Sequence, residues 1–278
     1  MKLAYALLLA FACAGLHAHV LETNINLPLV ESDPDAEYHT HQIQGGTVHV
    51  IASEVSEQPE KAEAMLWFMR GQLTDIVQRF PADKVKLLRT VEIWINDDGD
   101  EDDDGCNIAC YIPKYFGGSE FYEDRRESVI LRDFDVILSQ AWCCTDTLLI
   151  HELAHAYHDR FLEDGFNNDD IEDAYDVAKE SGDYDDNAVM YPWWDDLFVE
   201  HYGMTDASEF FATMTETFFL DYYTYPFNVA LLWSHDRDTY NLILNAWYSQ
   251  VTSGNVVYFS EPNSVEVPIN LMELPLNH

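Results

Sequence analysis

The chain has 278 residues, 47% of them hydrophobic and 14% aromatic, which is enough for one sizeable core or two modest ones and too apolar for disorder. Its 51 acidic side chains against 14 basic ones give a formal charge of -37. A field of that sign repels nucleic acid and anionic membrane surfaces, so neither is expected as a partner.

Lys2 and the uncharged apolar run from Leu3 to Leu16, with small residues at Ala12-Cys13-Ala14 and Ala18, read as a signal peptide over residues 1–18. The expected location is therefore secreted, or extracellular. About fourteen apolar residues are too few to span a bilayer, and no other run approaches that length, so no membrane insertion of the mature form is expected. Residues 19–45 are polar and without a clear period, an N-terminal arm or a propeptide.

The main domain, over residues 46–252, follows Gly45 and opens with Gly46 and a strand from Thr47 to Ile51. Ala62, Leu66, Met69, Leu73, Ile76, Val77 and Phe80 recur at helical spacing, and Pro81 ends that helix. Alternation predicts strands from Val85 to Ile95 and from Ser128 to Leu138. Between them, Asp100-Glu101-Asp102-Asp103-Asp104-Gly105 matches the first half of a calcium loop. Tyr111 stands where such a loop needs a bidentate Glu, so a solvated acidic loop is the stronger reading and Ca2+ the weaker. Cys13 leaves with the signal, and Cys106, Cys110, Cys143 and Cys144 remain. In an exported chain these predict two disulfides tying the 106–110 segment to the start of the next helix; a zinc site at Cys106 and Cys110, four residues apart, is the rival.

That next helix, capped by Thr145 or Asp146, runs through His151 to about Leu162, with Gly165 at its end. An acidic helix follows from Ile171 to Lys179, then one capped by Asp206 through Leu220, and a last one from Asp238 to Gln250. Residues 253–278 form a tail. Strands first and helices after predict an α+β domain with segregated elements.

His151-Glu152-Leu153-Ala154-His155 carries the chemistry. Four residues apart on a helix, the two histidines project about 40° from one another and can share one Zn2+, while Glu152 is angled to reach a water beside it as general base. Leu148, Leu149, Ile150, Leu153 and Ala154 make this a buried helix, where two idle histidines would be costly. A third protein ligand is needed. Phe161 and His158 stand where the three-histidine branch of such enzymes has His and Gly, so the ligand should be an acid from a later helix. Glu209, in Asp206-Ala207-Ser208-Glu209-Phe210-Phe211-Ala212, is the best candidate, although Asp-x-x-Glu also reads as a capping box. Glu216, Glu200 and Asp221 are weaker rivals. His158 reads as a partly buried histidine, and Trp193 and Trp194 as core or groove.

The segment HELAHAYH, His151 to His158, resembles exported zinc metallopeptidases of the Glu-ligand HExxH zincin type. Tyr202-Gly203-Met204-Thr205-Asp206 before Glu209-Phe210-Phe211-Ala212 is similar to the second motif of that family, and to the catalytic domain of anthrax lethal factor, with its Tyr seven residues before the ligand Glu. Tyr225-Pro226-Phe227, Tyr240 and Trp247 fit the C-terminal pattern, so the likeness covers roughly residues 106 to 250. It implies a zincin-like metallopeptidase domain: a small mixed sheet packed on the HExxH helix and a mainly helical C-terminal half. It also implies zinc on His151, His155 and Glu209, with Glu152 as base and the Tyr202 phenol on the oxyanion. The substrate would be a protein or peptide. One departure is Thr213, where relatives often carry an acid that orients a zinc-bound histidine; Glu216 is the candidate substitute. Two rivals follow: a zinc-binding pseudoenzyme, supported by Thr213, and an extracellular calcium-dependent structural or binding module, supported by the acidic run and the cysteines.

Overall fold

Val48, Val50, Ile93, Ile95, Val129 and Leu131 are fully buried and share one face of a five-stranded sheet, because side chains paired across neighbouring strands point the same way. The computed structural model describes residues 37–96, 108–115, 125–132, 134–140, 147–184, 188–189, 198–199, 201–249, 251–252 and 255–256. Strands β1 (Tyr38–Ile43), β2 (Gly46–Ile51), β3 (Ile93–Ile95), β4 (Ala109–Ile112) and β5 (Ser128–Leu131) lie in the order β1-β2-β3-β5-β4. The three central strands run parallel, and the two edges, β1 and β4, are antiparallel to their neighbours. Helices α1 (Ala52–Glu57), α2 (Pro59–Arg79), α3 (Ala82–Leu88) and α4 (Phe134–Gln140) accompany this sheet.

The sheet begins earlier than expected. β1 falls inside the segment read as an arm, its period of two hidden by His39, Thr40, His41 and Gln42, with His41 and Ile43 buried. It joins β2 through Gln44 and Gly45, both at positive φ (52° and 82°), as a two-residue hairpin turn requires. The strand expected from Val85 to Ile95 is instead α3 followed by β3. Val85 and Leu88 are buried one helical turn apart, and that spacing mimics alternation over a few residues. The strand from Ser128 to Leu138 likewise stops at Leu131, and α4 begins at Phe134.

The C-terminal half is mainly helical: α5 (Leu148–Phe161), α6 (Asp169–Ser181), α7 (Ala207–Phe219), α8 (Val229–His235) and α9 (Arg237–Tyr248). Two short strand pairs, β6 (Ala188–Val189) with β7 (Phe198–Val199) and β8 (Val251–Thr252) with β9 (Asn255–Val256), lie outside the main sheet. The fold is thus α+β, with a small mixed sheet and mostly helix. α5 is clamped by aromatics: Tyr157 stacks on Trp247 of α9 at 4.0 Å and donates its hydroxyl to the Ala246 carbonyl. Trp247 in turn donates to Thr215 Oγ1 of α7 at 3.0 Å, so α5, α7 and α9 are fixed to one another. The N-cap of α5 is Thr147, which makes no side-chain capping bond. Gln72, buried on α2, accepts the Leu149 N–H at 2.7 Å instead, a cap supplied across the fold.

The signal segment, Asp100 to Gly105, Cys106, Cys143, Cys144, Thr145, Asp146, Trp193, Trp194, Glu200 and most of the tail lie outside the described residues. Cys110 sits on β4, and its pairing with those other cysteines falls outside them too. Among the described residues no helix is long and apolar enough to cross a membrane.

Candidate metal centre

α5 and α7 lie side by side, and their facing stripes carry the candidate residues. His151 and His155 are both buried, with ring centroids 4.7 Å apart and their Nε2 atoms 3.0 Å apart. Glu209 enters from the first turn of α7. Its Oε2 lies 2.9 Å from His151 Nε2 and 3.5 Å from His155 Nε2. One ligand atom from each of the three falls within 4.8 Å of the others, and these are the only such group of His, Cys, Asp or Glu among the described residues. Two ligands on a tetrahedral ion with bonds of about 2.1 Å lie roughly 3.4 Å apart, so this donor set needs only small adjustments to fit a metal. The two facing nitrogens are 3.0 Å apart, their donor and acceptor roles set by the tautomers; as metal ligands both would be unprotonated, and a shared cation would remove the repulsion between them.

The capping-box alternative for Glu209 is half realised. Asp206 is the N-cap and accepts the N–H groups of Ser208 and Glu209, but the Glu209 carboxylate turns to the histidines rather than back to the cap. Burial opposes its ionisation, yet hydrogen bonds from His151 and His155 hold the carboxyl well below the usual range.

Glu216 is seven residues beyond Glu209, 20° short of two full helical turns, so both acids point toward α5. Its Oε1 lies 2.6 Å from His151 Nδ1, and both side chains are buried. Burial alone would lower the His151 pKa, but Glu216 and Glu209 outweigh it and raise it well above the ordinary value. Glu216 thus bonds the Nδ1 of His151, whereas Thr213 offers no carboxylate to either histidine. The Thr213 hydroxyl is spent locally, on the Glu209 carbonyl at 2.8 Å. Asp221, a rival ligand, is exposed and stands outside the cluster.

Glu152 is buried beside the histidines and away from the cluster of ligand atoms. Burial raises its pKa, the two histidines partly counter that, and the Tyr111 backbone N–H donates to its carboxylate. Tyr111 belongs to edge strand β4, and its hydroxyl donates to Asp159 Oδ2 of α5 at 2.7 Å. The edge strand is thereby fastened to the helix at two points, one of them the candidate base. Nothing in the sequence marks Tyr111 for this, because the donor is a main-chain group.

Tyr202 lies on a 3-10 turn, Tyr202–Met204, just before α7. Its ring is 5.8 Å from that of His151 and it is 48% exposed, so it borders the cluster on the open side. Burial and the nearby Glu209 and Glu152 carboxylates raise its pKa, and it bonds to Glu209. His158, one turn after His155, is fully buried between Phe166 and Phe211. Burial, with His155 beside it, pushes its pKa down to about 3, so it is neutral. No protein-family model, curated protein or solved structure matches this chain.

Proposed function

We propose that this chain is a secreted zinc-dependent metallopeptidase, a reading carried by the convergence of His151, His155 and Glu209 beside the buried Glu152. Two imidazoles and one carboxylate, with no thiolate, are the donor set of a catalytic zinc that keeps a position for water. Zinc held there supplies Lewis-acid polarisation of a carbonyl and makes a neighbouring water acidic.

The protein's own groups do the rest. Glu152, with its pKa raised by burial, takes the proton of the attacking water and hands it to the leaving amine. Tyr202, kept protonated by burial and by the carboxylates around it, would donate to the oxygen on which charge develops. Glu216 holds His151 by its Nδ1, leaving Nε2 to face Glu209 and His155. That carboxylate supports turnover against the pseudoenzyme reading, because it gives His151 an acid partner that Thr213 does not provide.

The test is elemental analysis of purified mature protein together with turnover of a generic peptide library. About one zinc per chain is expected, with cleavage lost on chelation and restored by added zinc. Equal stability and cleavage in metal-free protein would sink the reading. Zinc at one per chain with no cleavage would favour the pseudoenzyme, and calcium in place of zinc the structural module.

A further inference from the structure

The turn carrying Tyr202 is wedged between α7 and a buried histidine. A Cβ added to Gly203 would lie 2.5 Å from Thr213 Oγ1, 3.1 Å from His201 Nδ1 and 3.2 Å from His201 Cε1. Neither neighbour is free to give way. Thr213 is fully buried, and its hydroxyl is fixed on the Glu209 carbonyl at 2.8 Å and the Phe210 carbonyl at 3.2 Å. His201 is also fully buried, and its Nδ1 accepts the Gly203 N–H at 3.1 Å. The far side of the turn is held as well. Thr205 Oγ1 donates to the Tyr202 carbonyl at 2.7 Å, and Tyr175 of α6 donates its hydroxyl to the Met204 carbonyl at 3.1 Å.

We propose that the close seat of Gly203 on Thr213 is a positioning contact, setting the Tyr202 phenol against Glu209 and His151. Gly203 is required here for closeness of approach, since any side chain drives the turn off α7. Thr213 matters for its shape and for the fixed place of its oxygen. Moving the turn moves Tyr202 relative to Glu209, which stands one helical turn before Thr213 on α7. The contact deepens the peptidase reading, because it rests on Tyr202 acting at that site.

Four proteins test it: the wild type, Gly203→Ala, Thr213→Ala and the double variant. In the double variant the new methyl occupies the space vacated by Thr213 Oγ1. The first readout needs neither metal nor turnover: the 19F shift of 3-fluorotyrosine placed at position 202 in metal-free protein. Gly203→Ala should displace that resonance, and adding Thr213→Ala should bring it back. In zinc-loaded protein the same pattern should appear in kcat, with a fall of roughly 100-fold for Gly203→Ala, the scale of a misplacement near 1 Å, and recovery in the double variant. KM and zinc content should hold in all four. A folded Gly203→Ala with an unshifted resonance overturns the proposal, as does a double variant that recovers neither shift nor kcat. If Gly203→Ala does not fold, Thr213→Ala alone decides: removing the seat should shift or broaden the resonance, and an unchanged line overturns the contact. If the resonances follow the expected pattern while even the wild type cleaves no peptide, the contact stands and the peptidase reading falls.

Discussion

Glu152, Glu209 and Glu216 are three buried or half-buried carboxylates around one histidine, and their partners assign them different work. Glu209 faces both imidazoles, Glu216 holds His151 from behind, and Glu152 touches a main-chain N–H of β4. Single substitutions should therefore separate. Glu152→Gln should lower turnover by about 100- to 10,000-fold, the range of a lost proton-transfer group, and leave zinc bound. Glu209→Ala should lose zinc outright, whereas Glu216→Gln should weaken zinc binding by about 10- to 100-fold, the usual effect of removing a carboxylate behind a metal histidine. Competition against a chelator of known affinity measures all three. Equal affinity in Glu216→Gln and wild type would leave that carboxylate with a packing role only. The histidines and Glu152 were legible from the sequence because their spacing is local. Glu209 was legible as a candidate from its place in Asp206-Ala207-Ser208-Glu209-Phe210-Phe211-Ala212, at the start of an apolar helix downstream of the two histidines. Glu216 was visible both as a rival ligand and as the substitute orienting acid, because its partner is 65 residues away and the choice between the two depends on how two helices face each other.

The long helices could be read because each carries an apolar stripe at its own period. α2, α6, α7 and α9 start and stop within a few residues of where pattern and caps put them. The short elements could not. α3 and α4 are seven residues each, too brief for a period of 3.6 to separate from alternation. α5 was legible through His151 to about Leu162, close to where it ends at Phe161; the cap that Gln72 supplies from another helix was not. Burial within the helical layer has a further consequence that sequence does not show: His158 and His201 are neutral. Their pKa values are pushed by burial to about 3 and about 4, from an ordinary 6.5. Unfolded, each takes up a proton near pH 6.5; folded, only well below that. Between those values the unfolded chain binds the extra proton, so their contribution to stability is full above about pH 6.5 and is lost as pH falls. Each should tilt the unfolding free energy by about 1.4 kcal/mol per pH unit in that window. In metal-free protein, urea unfolding of His158→Leu from pH 6.5 to pH 4 should show a slope smaller by that amount than wild type. An identical slope would mean that His158 already carries a proton in the folded state.

At the scale of the whole molecule the dominant quantity is charge. Even if all 14 basic side chains were paired, 37 of the 51 acids would remain without a cationic partner. Two of the cations serve structure as well as charge: Lys84 is fully buried, donates to the Ser249 carbonyl and lies 3.8 Å from Asp83, and Arg160 reaches both the Glu127 carbonyl and, at 3.7 Å, its carboxylate. The unpaired acids repel one another, and the compact state gathers them closer than the unfolded chain does, so repulsion weighs against folding. Its reach is the Debye length, about 30 Å at 0.01 M salt and about 3 Å at 1 M. Sodium chloride should therefore stabilise this protein instead of leaving it unchanged. A gain of about 2 kcal/mol between those concentrations would raise Tm by roughly 4–8 °C for a domain of this size. Thermal melts of zinc-loaded protein at pH 7.5, in steps from 0.01 to 1 M, would measure it. Most of the rise should fall below 0.2 M, where the Debye length shortens past the spacing of surface charges; preferential exclusion of salt would instead rise steadily to the highest concentration. A Tm that stays flat below 0.2 M would mean that the acids lie too far apart to repel even in dilute salt, and that the charge of this chain carries no penalty for its fold.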